Sequence, residues 1–347
     1  MAWLAVIWLA ICAGCQRSTP QQFVSSKDVQ ELDAPLADQL REQLRTYCGT
    51  PAAPKLLGGG GDSEQLKLGQ LVYEDRCQPC HGASGDGNGP AAEYLTPKPR
   101  DYRRGIFKFT STSYGAKPRR EDLVRTILRG IPGTSMPSFA RLPKRELDAV
   151  VEYVLALTHR GELERLLAAQ ASADGELSDE AAQELADSIV EQWRDAQDAV
   201  VEPATRMPAM TAESIAAGAE IFQKRECFKC HGRNGRGGLA GGIEVGEDSW
   251  GQKGAAADLT SGMLHGGQSP LDVYRRIYAG INGTPMPAFH EAFAADPDDI
   301  WRLTHFVLDL ADKRRHGVAF PAVARQTQTT PPPAAAEPSS PAAENLP

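Results

Sequence analysis

Apolar residues recur at the spacing of an amphipathic helix in four segments, and these segments fall into two pairs. The first pair is residues 63–76 and 144–158, and the second is residues 212–225 and 298–310. Apolar side chains three or four positions apart lie on one face of a helix, where they can pack against a partner. The pattern therefore predicts two helical halves, each opened and closed by a helix.

Three further helices are predicted outside these pairs, at residues 29–47, 122–129 and 179–201. In the last of them, apolar residues recur at helical spacing from Leu185 to Val200, and acidic residues fill the first turn, where the helix dipole favours negative charge. Together with the two pairs, these segments predict an all-α fold.

Two stretches lack helical patterning. Gly58 to Gly61 is a run of glycines, which predicts a flexible joint after a polar spacer. The residues after 312 are rich in Pro, Ala, Thr and Gln, a composition that predicts a disordered tail.

Charge is distributed unevenly along the 347 residues, whose formal net charge is −8. Residues 61–160 carry 16 basic and 12 acidic side chains, whereas residues 161–210 carry 3 basic and 12 acidic ones. This balance does not fit a nucleic-acid-binding protein. It suggests instead that the acidic segment docks onto the basic loop at residues 98–109, which includes Arg103 and Arg104.

One short motif occurs twice. Cys77-Gln78-Pro79-Cys80-His81 and Cys227-Phe228-Lys229-Cys230-His231 both read C-x-x-C-H, the attachment motif of a c-type haem. Two thiols about one helical turn apart can form thioethers with the two vinyl groups of a haem, and the adjacent imidazole can bind the iron. The repeat predicts one such site in each half.

A second duplicated segment follows each motif. The sequences around Met136 and Met286 share G-I-x-G-T-x-M-P-x-F, and each Met lies 55 residues after its motif histidine. The equal spacing partly reflects insertions that cancel, since the loop after His231 is longer than the loop after His81. A thioether sulfur is a soft ligand that raises the potential of haem iron.

With these motifs the chain resembles the tandem class I cytochromes c, dihaem electron carriers that bacteria export. The resemblance implies two all-α cytochrome c domains joined by an acidic helical linker. The predicted divisions are a signal sequence at 1–15, an N-terminal spacer at 16–62, domain 1 at 63–160, the linker at 161–210, domain 2 at 211–312 and a disordered Pro/Ala-rich tail at 313–347.

The resemblance also implies two covalently attached c-type haems. Their thioether bonds would be formed by Cys77, Cys80, Cys227 and Cys230. Their axial ligands would be His81, Met136, His231 and Met286. Six-coordinate iron leaves no open position for a substrate, so the expected function is electron transfer and not catalysis. The donor and acceptor would be redox proteins, such as a respiratory complex, an oxidase or a periplasmic oxidoreductase.

Other functions remain open at this point. A dihaem cytochrome c peroxidase also has two such motifs, but both halves here carry the Met-Pro loop. A haem subunit of a larger oxidoreductase would use the same chemistry with different partners. A gas sensor would need a labile Met, and a zinc or thiol-redox module could use C-x-x-C without haem.

The first residues predict export. Residues 2–11 are apolar but too few to span a bilayer, which fits the core of a signal peptide. They lead into Cys12-Ala13-Gly14-Cys15, which resembles a bacterial lipobox whose last Cys is lipidated. Cys12 replaces the usual Leu, so a plain signal peptide is the alternative. Both interpretations place the protein in the periplasm, and lipidation of Cys15 would anchor it to a membrane.

Several other residues have more than one interpretation. Arg103 or Arg104 could pair with a haem propionate or belong to a solvated loop. Trp250 could wall a haem, donate its N–H to a propionate, or pack in the core. His265 and His290 are rival iron ligands in the second half, outranked by Met286 because its loop is duplicated.

Overall fold

The computed structural model describes residues 23–59, 61–238 and 243–317. The predicted signal sequence with Cys12 and Cys15, the glycine at position 60 and the tail from residue 318 onward lie outside the described residues. Within the described ranges, no helix is long and apolar enough to cross a membrane.

Helices dominate the structure, which confirms the predicted all-α class. In chain order they are α1 (Lys27–Gln30), α2 (Ala34–Cys48), α3 (Ser63–Arg76), α4 (Gln78–His81), α5 (Arg120–Arg129), α6 (Lys144–Asp174), α7 (Asp179–Asp195), α8 (Ala212–Lys224), α9 (Phe228–His231), α10 (Pro270–Ala279) and α11 (Asp298–Arg315). Two short strands, β1 (Gly49–Thr50) and β2 (Ala53–Pro54), form an antiparallel hairpin in which Gly49 pairs with Pro54.

Each predicted pair of helices packs as a crossed pair through a glycine. At Gly69 of α3, a Cβ atom would lie 2.0 Å from the Ala149 carbonyl oxygen of α6. At Gly218 of α8, a Cβ atom would lie 2.1 Å from the Arg302 carbonyl oxygen of α11. The missing side chain lets the two backbones touch, so each crossing can form only with glycine at that position.

Helix α6 is longer than the pattern predicts. The predicted end at Thr158 is wrong, because the helix runs on to Asp174 and ends at Gly175, whose φ of 72° suits a left-handed cap. The continuation carries its own apolar stripe, including Leu163 and Leu167, both fully buried. The predicted boundary between domain 1 and the linker therefore falls inside one helix.

The segments assigned to the N-terminal spacer and the linker fold together. Helices α1 and α2 pack against the second half of α6 and against α7. They form a third core, in addition to the cores around the two crossed helix pairs. Its buried members are Val29, Ala37, Leu40, Leu44, Cys48, Leu57, Leu163, Leu167, Ala168, Ala171, Leu177, Ala182, Ala186 and Ile189. The interpretation of residues 23–57 as a mere spacer is wrong, because the apolar face of α2 is buried in this core.

The glycine run does not act as a plain joint in the part that is described. Gly58 has a φ of 83°, and a Cβ atom there would lie 2.9 Å from a methyl carbon of Val190 in α7. Glycine is needed at this position for a left-handed backbone and for close packing.

The acidic segment does not dock onto the basic loop in the predicted way. Helix α7 buries its apolar face in the third core, and most of its carboxylates are exposed. The basic loop does contact the acidic segment by packing, since the ring of Phe107 lies 6.4 Å from that of Trp193 in α7. Its cations Arg100 and Lys108 pair with the second domain, where they lie 3.0 and 3.2 Å from the carboxylate of Asp248. Asp248 is only 8% exposed, and a buried carboxylate requires nearby cations more than an exposed one does.

The last helix also exceeds its predicted bounds. Helix α11 was expected to end at Leu310, but it continues to Arg315 with three basic residues in its final turn. Positive charge at a helix C-terminus interacts favourably with the helix dipole. The first residues assigned to the tail are therefore helical.

Candidate functional site

The two C-x-x-C-H motifs adopt the same conformation. Each forms a single helical turn, α4 or α9, in which the amide of the histidine donates to the carbonyl of the first cysteine at 2.9 Å. Each turn ends at a glycine, Gly82 or Gly232, with φ of 75° or 73°. Two thiols and an imidazole are thus presented from one turn in both halves.

The peptide backbone orients the motif histidines. In the second half, Nδ1 of His231 lies 3.1 Å from the carbonyl oxygen of Ala257. A carbonyl can only accept, so Nδ1 carries the proton and Nε2 is left free for a metal. In the first half, Nδ1 of His81 is buried near the Arg100 backbone, without a hydrogen bond of standard geometry.

Sequence reasoning missed these two backbone partners. The segments Asp101–Gly105 and 258–262 align with each other, and Arg100 and Ala257 are the residues that directly precede them. That alignment was the available clue. Burial lowers the pKa of both His81 and His231, and it thereby favours the neutral imidazole that metal binding requires.

Tyrosines surround His81. The ring of Tyr102 is centred 5.6 Å from the imidazole, and its hydroxyl donates to the hydroxyl of Tyr73 at 2.5 Å. Tyr73 in turn donates to the carbonyl of Gly82 at 2.8 Å. Burial raises the pKa of both phenols, so they remain neutral donors. The chain of hydrogen bonds ties the turn after His81 to α3.

In the second half, phenylalanines take the places of Tyr73 and Tyr153, and Leu259 takes that of Tyr102. Phe222 lies 6.5 Å from the imidazole of His231 and 5.3 Å from Phe306, between ring centres. The corresponding distance from Tyr73 to Tyr153 is also 5.3 Å. The aromatic crossing is therefore preserved, but its hydroxyl groups are not.

Phe222 is separated from its motif by one residue more than Tyr73 is, and the backbone conformation of Glu226 accommodates this extra residue. Phe222 precedes Cys227 by five positions, whereas Tyr73 precedes Cys77 by four. Glu226 has a φ of 58°, an unusual value for a residue other than glycine. The cysteine amide still bonds to the aromatic carbonyl, at 3.1 Å here and at 2.8 Å in the first half. The hydrogen bond between the aromatic residue and the motif is thus kept despite the extra residue.

The two loops that carry Met136 and Met286 are built alike. In the first, Ile131 N donates to the Met136 carbonyl at 3.1 Å, and the Met136 amide bonds to Thr134 Oγ1 at 3.2 Å. In the second, Ile281 N donates to the Met286 carbonyl at 3.2 Å, and the Met286 amide bonds to Thr284 Oγ1 at 3.3 Å. Each loop follows a ten-residue helix and a glycine of positive φ, so the duplicated sequence produces a duplicated shape.

The donor groups fit a c-type haem in both halves. Among the described residues the motif cysteines form no disulfide, which leaves their thiols available. Burial raises the pKa of Cys77 to about 12 and that of Cys227 to about 11, so both thiols are protonated. Each half offers two thiols, one neutral imidazole and one thioether on a shaped loop, which is the donor set for haem with mixed axial ligands.

The three residues for which a propionate contact is one interpretation have partners within the protein. Arg103 forms two bonds to the Asp101 carboxylate, from Nε at 3.0 Å and from its terminal nitrogen at 2.8 Å. Arg104 donates to the Ser249 carbonyl across the domain boundary. The indole Nε1 of Trp250 donates to the Asp101 carbonyl at 2.6 Å. All three residues thus bind within or between domains.

The other histidines lie at packing positions. His290 stacks on Tyr278 with ring centres 5.2 Å apart. His265 lies at the domain boundary beside Gly133 of the first Met loop. A Cβ atom built on Gly133 would be 3.1 Å from Nε2 of His265. His159 is 6% exposed and packs edge-on against Trp193.

Models of two protein families match the chain, one in each half. The family described as cytochrome c oxidase, cbb3-type, subunit III, matches residues 64–154. The family described as cytochrome c matches residues 215–311. No curated protein matches the chain.

A solved structure matches both halves together. It is a chain of the Kuenenia stuttgartiensis reducing HAO-like protein complex Kustc0457/Kustc0458, with 32% sequence identity and a TM-score of 0.54. The match covers 70% of this chain and 96% of that chain. The similarity therefore extends over nearly all of the solved chain.

Proposed function

Because the chain belongs to the cytochrome c family as a tandem of two class I domains, we propose that it transfers single electrons between two redox proteins through two covalently attached haems. It is a haem electron-transfer protein. The proposal specifies the number of haems, their ligands and the place of the protein between a donor and an acceptor.

The observation that carries the proposal is the duplication of a complete donor set. Cys77, Cys80, His81 and Met136 have counterparts at Cys227, Cys230, His231 and Met286, with the same turn and loop conformations. A bound haem would supply the one-electron couple between ferrous and ferric iron. The motif cysteines would hold the haem by thioethers, the neutral imidazole of the motif histidine would bind its iron, and Met136 or Met286 would supply the second iron ligand.

If a histidine and a methionine both bind the iron in each half, no position on the iron would be left for a substrate. A dihaem peroxidase needs one haem that can open, and the matching loops around Met136 and Met286 provide the same distal residue at both sites. We therefore expect a carrier without peroxide turnover.

We further propose that the protein works outside the cytoplasm. Covalent haem attachment in this family follows export, and the apolar residues 2–11 ending near Cys15 fit a signal sequence. Lipidation of Cys15 would hold the protein at a membrane surface. Mass spectrometry of the mature N-terminus would distinguish a diacylated Cys15 from a plain cleavage site.

A second candidate function is that of a haem subunit within a larger oxidoreductase. It is supported by the matched solved chain, which belongs to a protein complex, and by the match of the first half to an oxidase subunit family. The electron-transfer chemistry would be unchanged. Native gel electrophoresis of host membranes with a haem stain would show the protein either free or in a larger assembly.

Near-infrared magnetic circular dichroism of the full-length ferric protein, together with a haem count by mass, tests the main proposal. We expect two covalent haems, both with the charge-transfer band of methionine ligation. Met136→Ala and Met286→Ala should each remove one of the two signals. Wild-type protein with one high-spin haem and with peroxide turnover would instead support the peroxidase.

A further inference from the structure

Trp250 belongs to the second domain, but residues of the first domain contact both the N–H edge and the face of its indole ring. Its Nε1 donates to the Asp101 carbonyl at 2.6 Å. Arg100 and Lys108 of the same first-domain loop lie over the indole, each 5.2 Å from the ring centre. Both cations also pair with Asp248, two residues before Trp250. The indole is therefore fixed by the domain interface and not only by its own domain.

The far edge of the same indole contacts the loop of Met286. A Cβ atom at Gly283, three residues before Met286, would lie 2.7 Å from Cζ3 of Trp250 and 2.9 Å from Cγ2 of Ile106 in the first domain. The neighbouring Ser249 amide donates to the Gly283 carbonyl at 2.9 Å. The loop is thus packed against Trp250 with no space between them.

A polar contact adds to this packing. The side-chain oxygen of Asn282, in the same loop, accepts a hydrogen bond from the amide of Gly115 in the first domain at 2.9 Å. The Met286 loop therefore contacts the first domain directly as well as through the indole.

The segment that binds the indole N–H lies behind the other site. Asp101 lies between Arg100, whose backbone interacts with the imidazole of His81, and Tyr102, whose ring centre is 5.6 Å from that imidazole. Trp250 consequently contacts the segment behind the proximal residue of the first site and the loop that carries the distal residue of the second. The side chain of Trp250 therefore connects the two sites.

We propose that Trp250 is a positioning residue that couples the two haem sites. It holds the Met286 loop against the first domain in its ligating shape, and it links that shape to the segment behind His81. This inference rests on the proposed function, because it assumes that Met286 binds iron. Its consequence is that the reduction potential of each haem depends on the intact interface.

The internal repeat provides a matched pair of variants. Gly133 and Gly283 occupy the same position in the two loops, with φ of 78° and 73°. Substitution by alanine strains both backbones equally. Only at Gly283 would the new Cβ atom collide with the indole, because at Gly133 the neighbour is His265 Nε2 at 3.1 Å. A difference between the two variants therefore reports the packing of this loop against Trp250 and its neighbour Ile106, whereas equal effects would speak against that packing.

The experiment compares full-length, haem-loaded wild type with Trp250→Phe. Phenylalanine keeps an aromatic ring but lacks the N–H and the far edge that reaches Gly283. Near-infrared magnetic circular dichroism counts the methionine-ligated haems, and a spectroelectrochemical titration gives both midpoint potentials. We expect the methionine signal to fall from two haems toward one and both potentials to shift, because His/Met ligation raises the potential.

Trp301→Phe is the control for Trp250→Phe. Trp301 lies in the same domain and donates to a backbone carbonyl, that of Thr205, at 3.1 Å, but this acceptor is in the linker. We expect its methionine signals and potentials to match those of the wild type.

The outcomes separate the inference from the proposed function. If wild type lacks methionine-ligated haem, the proposed function is wrong. If wild type has two such haems and Trp250→Phe keeps both with unchanged potentials, the coupling role is wrong. Should Trp250→Phe fail to accumulate, Gly283→Ala and Gly133→Ala decide, since equal loss of signal in both would contradict a role for the indole.

Discussion

His81 and His231 lie on matching helical turns, yet different layers of protein surround them. Behind His81 are Tyr102 and the hydroxyl chain to Tyr73, and beyond domain 1 lies the third core built from α1, α2, α6 and α7. Behind His231 is Phe222, and helix α11 ends the described fold without a further layer. Cys230 is exposed, whereas Cys80 is partly buried.

This difference shows which features a repeat preserves. The donor atoms, the glycine crossing and the Met loop are the same in both halves, because each depends on local sequence. The surrounding packing differs, and packing controls the local dielectric environment and access of solvent, which set the potential of a haem. Two sites with equal ligands can therefore have unequal stability and unequal potentials.

Removing a side chain from the third core should have the largest effect. Leu167 is 0% exposed, and Leu167→Ala should lower the free energy of unfolding by about 2–5 kcal/mol, the range for burial lost with a cavity left behind. Chemical denaturation followed by circular dichroism measures this change. Leu71→Ala, at a position that is 53% exposed, is the control and should change it by less than about 0.5 kcal/mol. A small effect of Leu167→Ala would show that the extra layer does not stabilise the protein.

Acidification should destabilise the first half through His159. Burial lowers the pKa of His159 to about 3, below the value of about 6.5 in an unfolded chain. The unfolded state then binds the proton more readily, so the stability is complete above pH 6.5 and is lost as the pH falls from there toward 3. Between these two pKa values, protonation of His159 in the unfolded chain lowers the folding equilibrium constant by up to about tenfold for each pH unit of acidification.

The measurement is the free energy of unfolding between pH 7 and 5 for wild type and His159→Phe. Phenylalanine can keep the ring contact with Trp193 but cannot titrate. Other groups contribute to both slopes, so the difference between the slopes belongs to His159. Identical slopes would contradict a buried, neutral histidine.

Loss of a hydroxyl behind His81 should have a smaller effect. Tyr102→Phe removes the hydrogen bond to Tyr73 but keeps the ring beside His81, and it should cost about 1 kcal/mol of stability. Chemical denaturation again gives the value. Tyr94→Phe, on a side chain that is 80% exposed, should leave the stability unchanged. Equal effects of the two variants would mean that the buried hydroxyl chain contributes nothing.

Reversing a charge on the exposed face of α7 should have the smallest effect. Glu184 is exposed and lies on the acidic surface that was first expected to dock onto the basic loop. Because that loop pairs with Asp248 instead, Glu184→Lys should change the free energy of unfolding by less than about 0.5 kcal/mol. Denaturation at low and high salt checks this, and a large loss that salt abolishes would restore the docking model.

The motif residues of the two sites and the helices that frame them can be recognised from sequence alone. Haem attachment motifs are local, because thiols and imidazole must lie within one helical turn, so Cys77 to His81 and Cys227 to His231 can be recognised without a fold. The crossing helices were also predictable, since α3 begins and ends at the predicted residues Ser63 and Arg76 and periodic apolar positions are a local property.

The packing of the remaining segments depends on contacts between residues that are distant in the sequence. The third core depends on contacts between α2 and α7, which are far apart in the chain. The apolar pattern of each helix shows that it has a buried face but does not identify the helix that covers this face. Charge totals likewise failed to identify the partner of Arg100 and Lys108, because ion pairing depends on burial and distance and not on the net charge of a segment. Trp250 gained its place between the two sites in the same way, from packing that no local pattern specifies.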